Sequence, residues 1–146
     1  MSIIVREALQ TDCQGIMDLI MGLAVYEKME DKVKMKLESA SKLIGYALYY
    51  FTYSTWEGKC IYMDDFYVSP EYRGKGVGSR LMGSVCKIAV EKKCARVQFS
   101  VLGGNKPSID YYKRRGAIDM TEVEDWHLFR LTGSALEKLA ANSNTV

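Results

Sequence analysis

The sequence RGKGVGS, Arg73 to Ser79, is the most informative stretch of this chain for its fold. It follows a strand-like run, Cys60–Val68, and precedes apolar residues at helical spacing, of which Leu81 is the first. Alternate glycines let a backbone approach a ligand without Cβ clashes, and N–H groups at a helix N-terminus favour phosphate. Arg73 and Lys75 add cations for phosphate oxygens. The stretch therefore predicts a phosphate-binding turn between a strand and a helix.

Three phosphate-binding patterns can be compared with this turn. A Walker A loop requires G-x-x-x-x-G-K-[ST], and no such run occurs in the chain. A dinucleotide fingerprint requires G-x-G-x-x-G in a parallel βαβ unit, and here the third glycine comes one residue early. The pattern [RQ]-x-x-G-x-[GA] is matched by Arg73, Gly76 and Gly78. That pattern is similar to the coenzyme A pyrophosphate loop of the GNAT acetyltransferase superfamily. A glycine-rich helix cap that binds no ligand is the alternative.

Length and charge limit the classes of protein that the chain can belong to. Its 146 residues suit one domain, so residues 1–146 are predicted to form a single domain. With 48% hydrophobic and 26% charged residues, the composition is ordinary for a packed globule. The net charge of +2 is too small to predict binding to nucleic acid, which needs many clustered phosphate contacts.

The sequence also disfavours membrane, export and metal-binding classes. Charged residues interrupt every long apolar stretch, so we expect no membrane-spanning helix and no binding to a membrane. The start lacks the apolar core of a signal peptide, which favours a cytoplasmic location. The four cysteines form no C-x-x-C pair and His127 is the single histidine, so we expect no metal site.

Hydrophobic periodicity predicts an α/β order of elements. Apolar residues from Ile16 to Ala24 recur at helical spacing. Leu43–Tyr53 and Cys60–Val68 have strand composition and flank a turn at Gly58, which predicts an antiparallel hairpin. The pattern as a whole indicates a mixed central sheet flanked by helices. Further strands are expected at Ile3–Arg6, Ala95–Leu102 and Trp126–Leu131, and further helices at Lys28–Glu38, from Gly78 onward, and at Pro107–Arg114.

Short motifs over nearly the whole chain are more specific than the glycine turn. They are Asp12-Cys13, Leu23–Glu27, Tyr49–Tyr53, Asp64–Val68, Glu71–Gly74, Asn105–Ile109, Tyr112–Ala117 and Trp126. With them the chain resembles one branch of that superfamily, the diamine acetyltransferases, which include spermidine/spermine and thialysine N-acetyltransferases. The resemblance implies the GNAT acyl-CoA N-acyltransferase fold, acetyl-CoA as co-substrate and a homodimer.

The resemblance also implies roles for particular residues. Tyr112 falls where the family places its general acid. The residues expected to bind acetyl-CoA are Phe66, Tyr67, Val68, Arg73, Gly74, Lys75, Gly76, Val77, Gly78, Ser79, Asn105, Lys106, Pro107 and Ser108. The residues expected to line the amine pocket are Tyr26, Glu27, Asp64, Gln98, Phe99, Ser100 and Glu124.

Acetyl transfer to an amine makes chemical demands that these residue types can meet. An alkyl ammonium has a pKa of about 10.4 and must lose its proton before it can attack a thioester. Nearby acids attract the ammonium and can accept that proton through water, and a phenol such as Tyr112 can protonate the departing thiolate. Adjacent residues of a strand point to opposite faces, so only one of Asp64 and Asp65 can face a given pocket. The resemblance favours Asp64.

The chain departs from the family in two places. Only Val33–Leu43 stands where the family has the end of a helix and a whole strand, and Asp64 replaces the usual glutamate. Ser54-Thr55-Trp56 favours a thialysine-like substrate, whereas Tyr112–Gly116 is more similar to the polyamine branch. Two functions stay open. One is an N-acetyltransferase acting on a thialysine-like amino acid or on spermidine or spermine; the other is a catalytically impaired coenzyme A-binding or protein-interaction module.

Overall fold

The computed structural model describes residues 3–28 and 43–142. Its contacts divide the chain into two compact units, Met1–Ser100 and Val101–Val146. The single domain over residues 1–146 stays a prediction. The expected helix at Lys28–Glu38 and the short segment Val33–Leu43 lie, apart from Lys28 and Leu43, outside the described residues.

The first helix of the first unit packs its predicted apolar stripe against the sheet. This helix, α1, runs over Cys13–Glu27 and ends at Lys28, whose φ of 58° is left-handed. Leu19 is buried together with two tyrosines of the sheet, Tyr46 and Tyr67. The helix predicted from Ile16 to Ala24 is therefore confirmed.

A three-stranded mixed sheet forms the centre of the first unit. Strands β1 (Gly45–Ser54) and β2 (Gly58–Val68) pair as the predicted antiparallel hairpin. Strand β3 (Val97–Gln98) pairs in parallel with β2, giving the order β1-β2-β3. Helix α2 (Val77–Glu91) follows the glycine turn, as predicted. The mixed sheet flanked by helices is therefore confirmed.

A bulge in β2 determines which helix each half of that strand meets. Leu48 pairs with Asp65 and Tyr49 pairs with Met63, so Asp64 has no counterpart on β1. An extra residue of this kind shifts the alternation of side chains between the two faces. Before the bulge, Ile61 packs with residues of α2, and after it Tyr67 packs with residues of α1.

Two of the strands expected in the first unit differ from the structure. Ile3–Arg6 forms no strand, because its backbone has no neighbouring strand among the described residues. Its last residue turns to Asp12 instead, and the two guanidinium nitrogens of Arg6 donate to the carboxylate at 2.6 and 2.9 Å. The strand predicted at Ala95–Leu102 is confined to Val97–Gln98, because β3 pairs with β2 at two positions only.

The second unit consists of helices. The predicted helix is confirmed as α3 (Lys106–Lys113), and α4 (Met120–Glu124) and α5 (Gly133–Ala141) were not predicted. The strand predicted at Trp126–Leu131 is wrong, because the described part of this unit contains no strand with which it could pair. In this segment the indole nitrogen of Trp126 donates to Glu124 at 2.6 Å.

Candidate active site

The glycine turn is an open cradle at the N-terminus of α2. Gly74 and Gly76 have φ values of 72° and 79°, which an L side chain adopts at a cost. A Cβ on either glycine would meet no atom within 4 Å, so a ligand can approach this backbone closely. The N–H of Arg80 makes its helical hydrogen bond to Gly76 O at 3.1 Å, and the amides of Val77 and Gly78 precede it. Such amides, with the helix dipole behind them, suit a phosphate.

The parallel pairing of β2 with β3 is short. Among the described residues, β2 pairs with β3 only at Ile61 and Tyr62. The N–H of Ile61 donates to Arg96 O at 3.0 Å, which shows the side of β2 that faces β3. Residues 63–68 continue β2 beyond that pairing. Beyond Tyr62 this edge of β2 pairs with no strand among the described residues.

The bulge determines which backbone groups of β2 face away from β1. Ser69 donates its N–H to Ile44 O at 3.0 Å, so its amide faces the β1 side. Because successive residues of a strand direct their backbone groups to opposite edges, Phe66 and Val68 direct theirs to the edge opposite β1. An extended amide chain such as pantetheine could pair with such an edge, as a further strand would.

Arg73 contacts the end of β2 and α1. Its Nε donates to Val68 O at 2.8 Å. Its guanidinium lies 4.7 Å from the ring centroid of Tyr26 on α1 and 5.4 Å from that of Tyr67 on β2. The role of Arg73 as a cation for phosphate stays a prediction. Lys75, the other cation of the turn, lies 5.5 Å above the ring of Tyr72.

A cluster of two carboxyl groups and a phenol lies where α1 meets β2. Tyr46, which is buried, donates its hydroxyl proton to Asp65 at 3.2 Å. Burial raises the pKa of Asp65, the hydrogen bond from Tyr46 lowers it, and the charge of Asp64 raises it. Burial and then the charge of Asp65 raise the pKa of Glu27. We call Glu27, Asp65 and Tyr46 the acid cluster. It is a place where a bound cation would relieve repulsion between the carboxylates.

The acid of β2 in this cluster differs from the one that the resemblance favoured. Asp65 lies in the acid cluster, whereas Asp64 is exposed at the bulge. Strict alternation along a strand separates the two acids correctly but cannot say which one faces α1 once a residue is inserted. Sequence reasoning also missed Tyr46. Its only signal was its position on the same strand face as Leu48 and Tyr50.

The other predicted pocket residues of the first unit lie at the C-terminal end of β3. Ser100 lies 3.0 Å from the hydroxyl of Tyr62, whose ring is 5.5 Å from that of Tyr50. Gln98 accepts a hydrogen bond from Arg96 at 3.1 Å. Phe99 is half-buried, while Gln98 and Ser100 are exposed. Tyr62 therefore contacts both the predicted pocket residue Ser100 and Tyr50 of β1.

In the second unit, α3 carries both the predicted acid and a group of predicted cofactor residues. Asn105 caps this helix, and its side chain accepts from the N–H of Ser108 at 3.4 Å. Burial, together with the neighbouring Tyr111, raises the pKa of Tyr112 to about 12. The rings of these two tyrosines are 5.2 Å apart. Tyr112 is therefore protonated at neutral pH, as a general acid must be.

The described residues contain neither a metal-binding cluster nor a membrane-spanning helix. Residues 3–28 and 43–142 contain no group of three or more His, Cys, Asp or Glu side chains that could hold a metal ion. Over the same ranges no helix is both long and apolar enough to cross a membrane.

Comparison with known proteins identifies the family of the chain. The acetyltransferase (GNAT) family model matches residues 14–117. Thialysine N-epsilon-acetyltransferase from Sus scrofa is 40% identical and covers 95% of this chain and 98% of that protein. The alignment spans 166 positions against 146 residues here, so this relative has residues with no counterpart in the chain. Human spermidine/spermine N(1)-acetyltransferase-like protein 1 is 33% identical over 93% of this chain and 23% of its own length.

Solved structures share the fold at low sequence identity. An integron cassette protein from the mobile metagenome of V. cholerae has a TM-score of 0.73 at 23% identity, covering 92% of this chain and 95% of that one. An aminoglycoside N-acetyltransferase in complex with CoA has a TM-score of 0.65 at 18% identity, covering 88% and 98%. Family model, relatives and fold agree: the chain belongs to the acetyltransferase (GNAT) family and is an N-acetyltransferase.

Proposed function

We propose that the protein transfers the acetyl group of acetyl-CoA to the primary amine of a thialysine-like amino acid. The observation that carries this proposal is the acid cluster, because a half-buried pair of carboxyl groups with raised pKa values suits an ammonium substrate. The relatives named thialysine N-epsilon-acetyltransferase, from pig at 40% and mouse at 37% identity, support the choice of amine. Spermidine or spermine is the second candidate, on the 33% identical human relative. By family resemblance, we further propose a cytoplasmic homodimer in which residues 1–146 form one domain.

Two backbone features support the proposed site for acetyl-CoA. The open glycines Gly74 and Gly76, with the amides of Val77 and Gly78, suit its pyrophosphate. The edge of β2 at Phe66 and Val68 suits the amides of its pantetheine arm. The segment Asn105–Ser108 and the cations Arg73 and Lys75 complete the proposed set, on the family resemblance alone.

The acid cluster is proposed to bind the acceptor amine and take up its proton. An ammonium of pKa about 10.4 has no lone pair at neutral pH, so a base must remove its proton before attack. Asp65 and Glu27 have raised pKa values and therefore hold a proton more readily than exposed carboxyls do. Tyr46 orients Asp65 through its hydrogen bond. The proton passes to this pair directly or through water.

The remaining steps need two donors. Acetyl-CoA supplies a thioester, and a backbone N–H of the β2 edge is proposed to stabilise the negative charge that develops on its oxygen. Tyr112, protonated at neutral pH with a pKa of about 12, is proposed to protonate the thiolate that leaves.

The test is a thiol-release assay with acetyl-CoA and five amines: thialysine, lysine, spermidine, spermine and putrescine. We expect the highest kcat/KM for thialysine, because relatives that are 40% and 37% identical are named for it. A preference for spermidine would reject the thialysine proposal in favour of polyamines. Coenzyme A binding without acetylation of any amine would instead identify a non-catalytic binding module.

The assay is extended to Tyr112 with a matched neighbour as control. Replacing Tyr112 by Phe should lower kcat by about 10²-fold, because the proton donor is lost. Replacing the adjacent Tyr111 by Phe removes a hydroxyl from the same helix and should change kcat much less. Equal effects of the two substitutions, or none from Tyr112→Phe, would remove Tyr112 from the mechanism.

A further inference from the structure

Arg73 lies at the junction of three elements, and its contacts do not match a simple phosphate ligand. It is the first residue of the glycine turn, yet its side chain reaches back to the end of β2 and across to α1. We infer that Arg73 is a positioning residue for the acceptor amine. It acts through Tyr26 and the last turn of α1, which carries Glu27. The inference deepens the proposed function and rests on its acceptor site.

The side chain of Arg73 is anchored firmly on the β2 side. Its Nε donates to Val68 O at 2.8 Å, and its guanidinium lies 5.4 Å from the ring centroid of Tyr67. Tyr67 is itself buried, and its hydroxyl lies against α1 so closely that a Cβ on Gly22 would come within 2.8 Å of it. A ring held this tightly gives Arg73 a rigid support.

The guanidinium also lies close to a more exposed ring, that of Tyr26. Tyr26 is 44% exposed, and Arg73 lies 4.7 Å from its centroid. The next residue is Glu27 of the acid cluster, and α1 ends one residue later at the left-handed Lys28. Holding the Tyr26 ring therefore also holds the final turn of α1 and the carboxyl group that it presents.

The chemistry of this contact requires arginine. A guanidinium is planar, so it can stack on a ring while its Nε donates in the same plane. A lysine ammonium keeps the charge but lacks both the plane and the fixed donor direction. A phosphate ligand would tolerate lysine much better, because the charge alone provides much of that attraction. Arg73→Lys therefore separates the two roles.

The experiment measures the KM of the amine, kcat, and the Kd of acetyl-CoA by calorimetry for the full chain. Arg73→Lys should raise the amine KM about tenfold, the size of one cation–π contact, while the Kd of acetyl-CoA changes less than about twofold. Lys75→Gln should instead raise the Kd of acetyl-CoA and leave the amine KM unchanged. Arg130→Lys, the same exchange at an exposed site, should change neither value. An unchanged amine KM in Arg73→Lys, whether acetyl-CoA binding is kept or weakened, would overturn the inference.

A double-mutant cycle tests the route through Tyr26. Tyr26→Leu should raise the amine KM, and adding Arg73→Lys to it should raise it no further, because the same contact is already lost. If the effects of the two substitutions on the amine KM multiplied, the inference would be contradicted. It would also be contradicted if the amine KM rose while kcat and the thermal midpoint fell to a similar extent, because such a pattern indicates a merely structural role. If the wild-type chain does not acetylate thialysine, the proposed substrate is wrong. The cycle is then run with the amine that reacts fastest, so the two failures are distinct.

Discussion

The glycine turn and the acid cluster meet at the end of β2 but are built from different parts of the chain. The turn is made of backbone, with left-handed φ values at Gly74 and Gly76 and amides at the start of a helix. The acid cluster is made of side chains from α1, β1 and β2 that come together only after folding. A backbone site depends on local conformation, whereas a side-chain site depends on strand register. The two should therefore respond differently to substitution.

The largest effect is expected from breaking the backbone site. Replacing Gly76 by Ala places a Cβ in the open space through which the ligand approaches the backbone. The kcat/KM for acetyl-CoA should therefore fall by about 10²-fold. Gly58 has a similar φ of 87° but lies in the hairpin turn, so Gly58→Ala serves as the control for strain. Both should lose roughly 1 to 2 kcal/mol of unfolding free energy by urea titration. A similar fall in kcat/KM for both variants would contradict the account of the turn.

The same contrast explains how far the sequence predicted the site. Gly74 and Gly76 could be recognised directly, because alternate glycines before a helix have few other uses. Asp65 could not be recognised, because the bulge at Asp64 shifts the alternation of side chains and no neighbouring residue in the sequence indicates a bulge. Tyr46 was missed for the related reason that its partner lies 19 residues away on another strand.

The wider fold shows the same division. Helix α1 and the hairpin were predicted because their periodicities lie within one segment or two adjacent ones. The strands expected at Ile3–Arg6 and Trp126–Leu131 failed because a strand needs a partner, and apolar composition does not supply one. The prediction was weakest wherever pairing was non-local.

An intermediate effect is expected from changing the side-chain site. Replacing Asp65 by Asn should raise the amine KM about tenfold, since a half-buried charged contact to the ammonium is lost, and should leave acetyl-CoA binding unchanged. Asp64→Asn is the matched neighbour, exposed at the bulge, and its effect should be smaller. A larger effect from Asp64 would show that the family pattern, not the contacts of α1, identifies the acceptor acid.

The pH dependence of the amine KM sharpens this test. The pKa values of Glu27 and Asp65 are both raised, so as pH falls these carboxyls lose their charge earlier than an exposed acid of pKa about 4 would. The amine KM should therefore begin to rise above that pH. In Asp65→Asn the rise should begin at a lower pH, because Glu27 no longer feels the charge of Asp65. If the amine KM of Asp65→Asn began to rise at the same pH as that of the wild-type chain, Glu27 would not be part of the acid cluster.

The smallest effect is expected from changing the packing of α1 against Tyr67. A Cβ on Gly22 of α1 would lie 2.8 Å from the hydroxyl of Tyr67, so Gly22→Ala should destabilise the fold by about 1 kcal/mol or more. Gly83 of α2 has open space around its Cβ position, so Gly83→Ala should stabilise the fold by about 0.5 to 1 kcal/mol through helix propensity. Urea unfolding measures both. Changes of the same sign would mean that Tyr67 does not pack as described.

The most direct test of the account is one kinetic matrix. Initial rates are measured over a grid of acetyl-CoA and thialysine concentrations for the wild-type chain, Gly76→Ala and Asp65→Asn. We expect Gly76→Ala to raise the KM of acetyl-CoA alone and Asp65→Asn to raise the KM of the amine alone. If each substitution raised both constants equally, the turn and the acid cluster would not be separate binding sites for the two substrates.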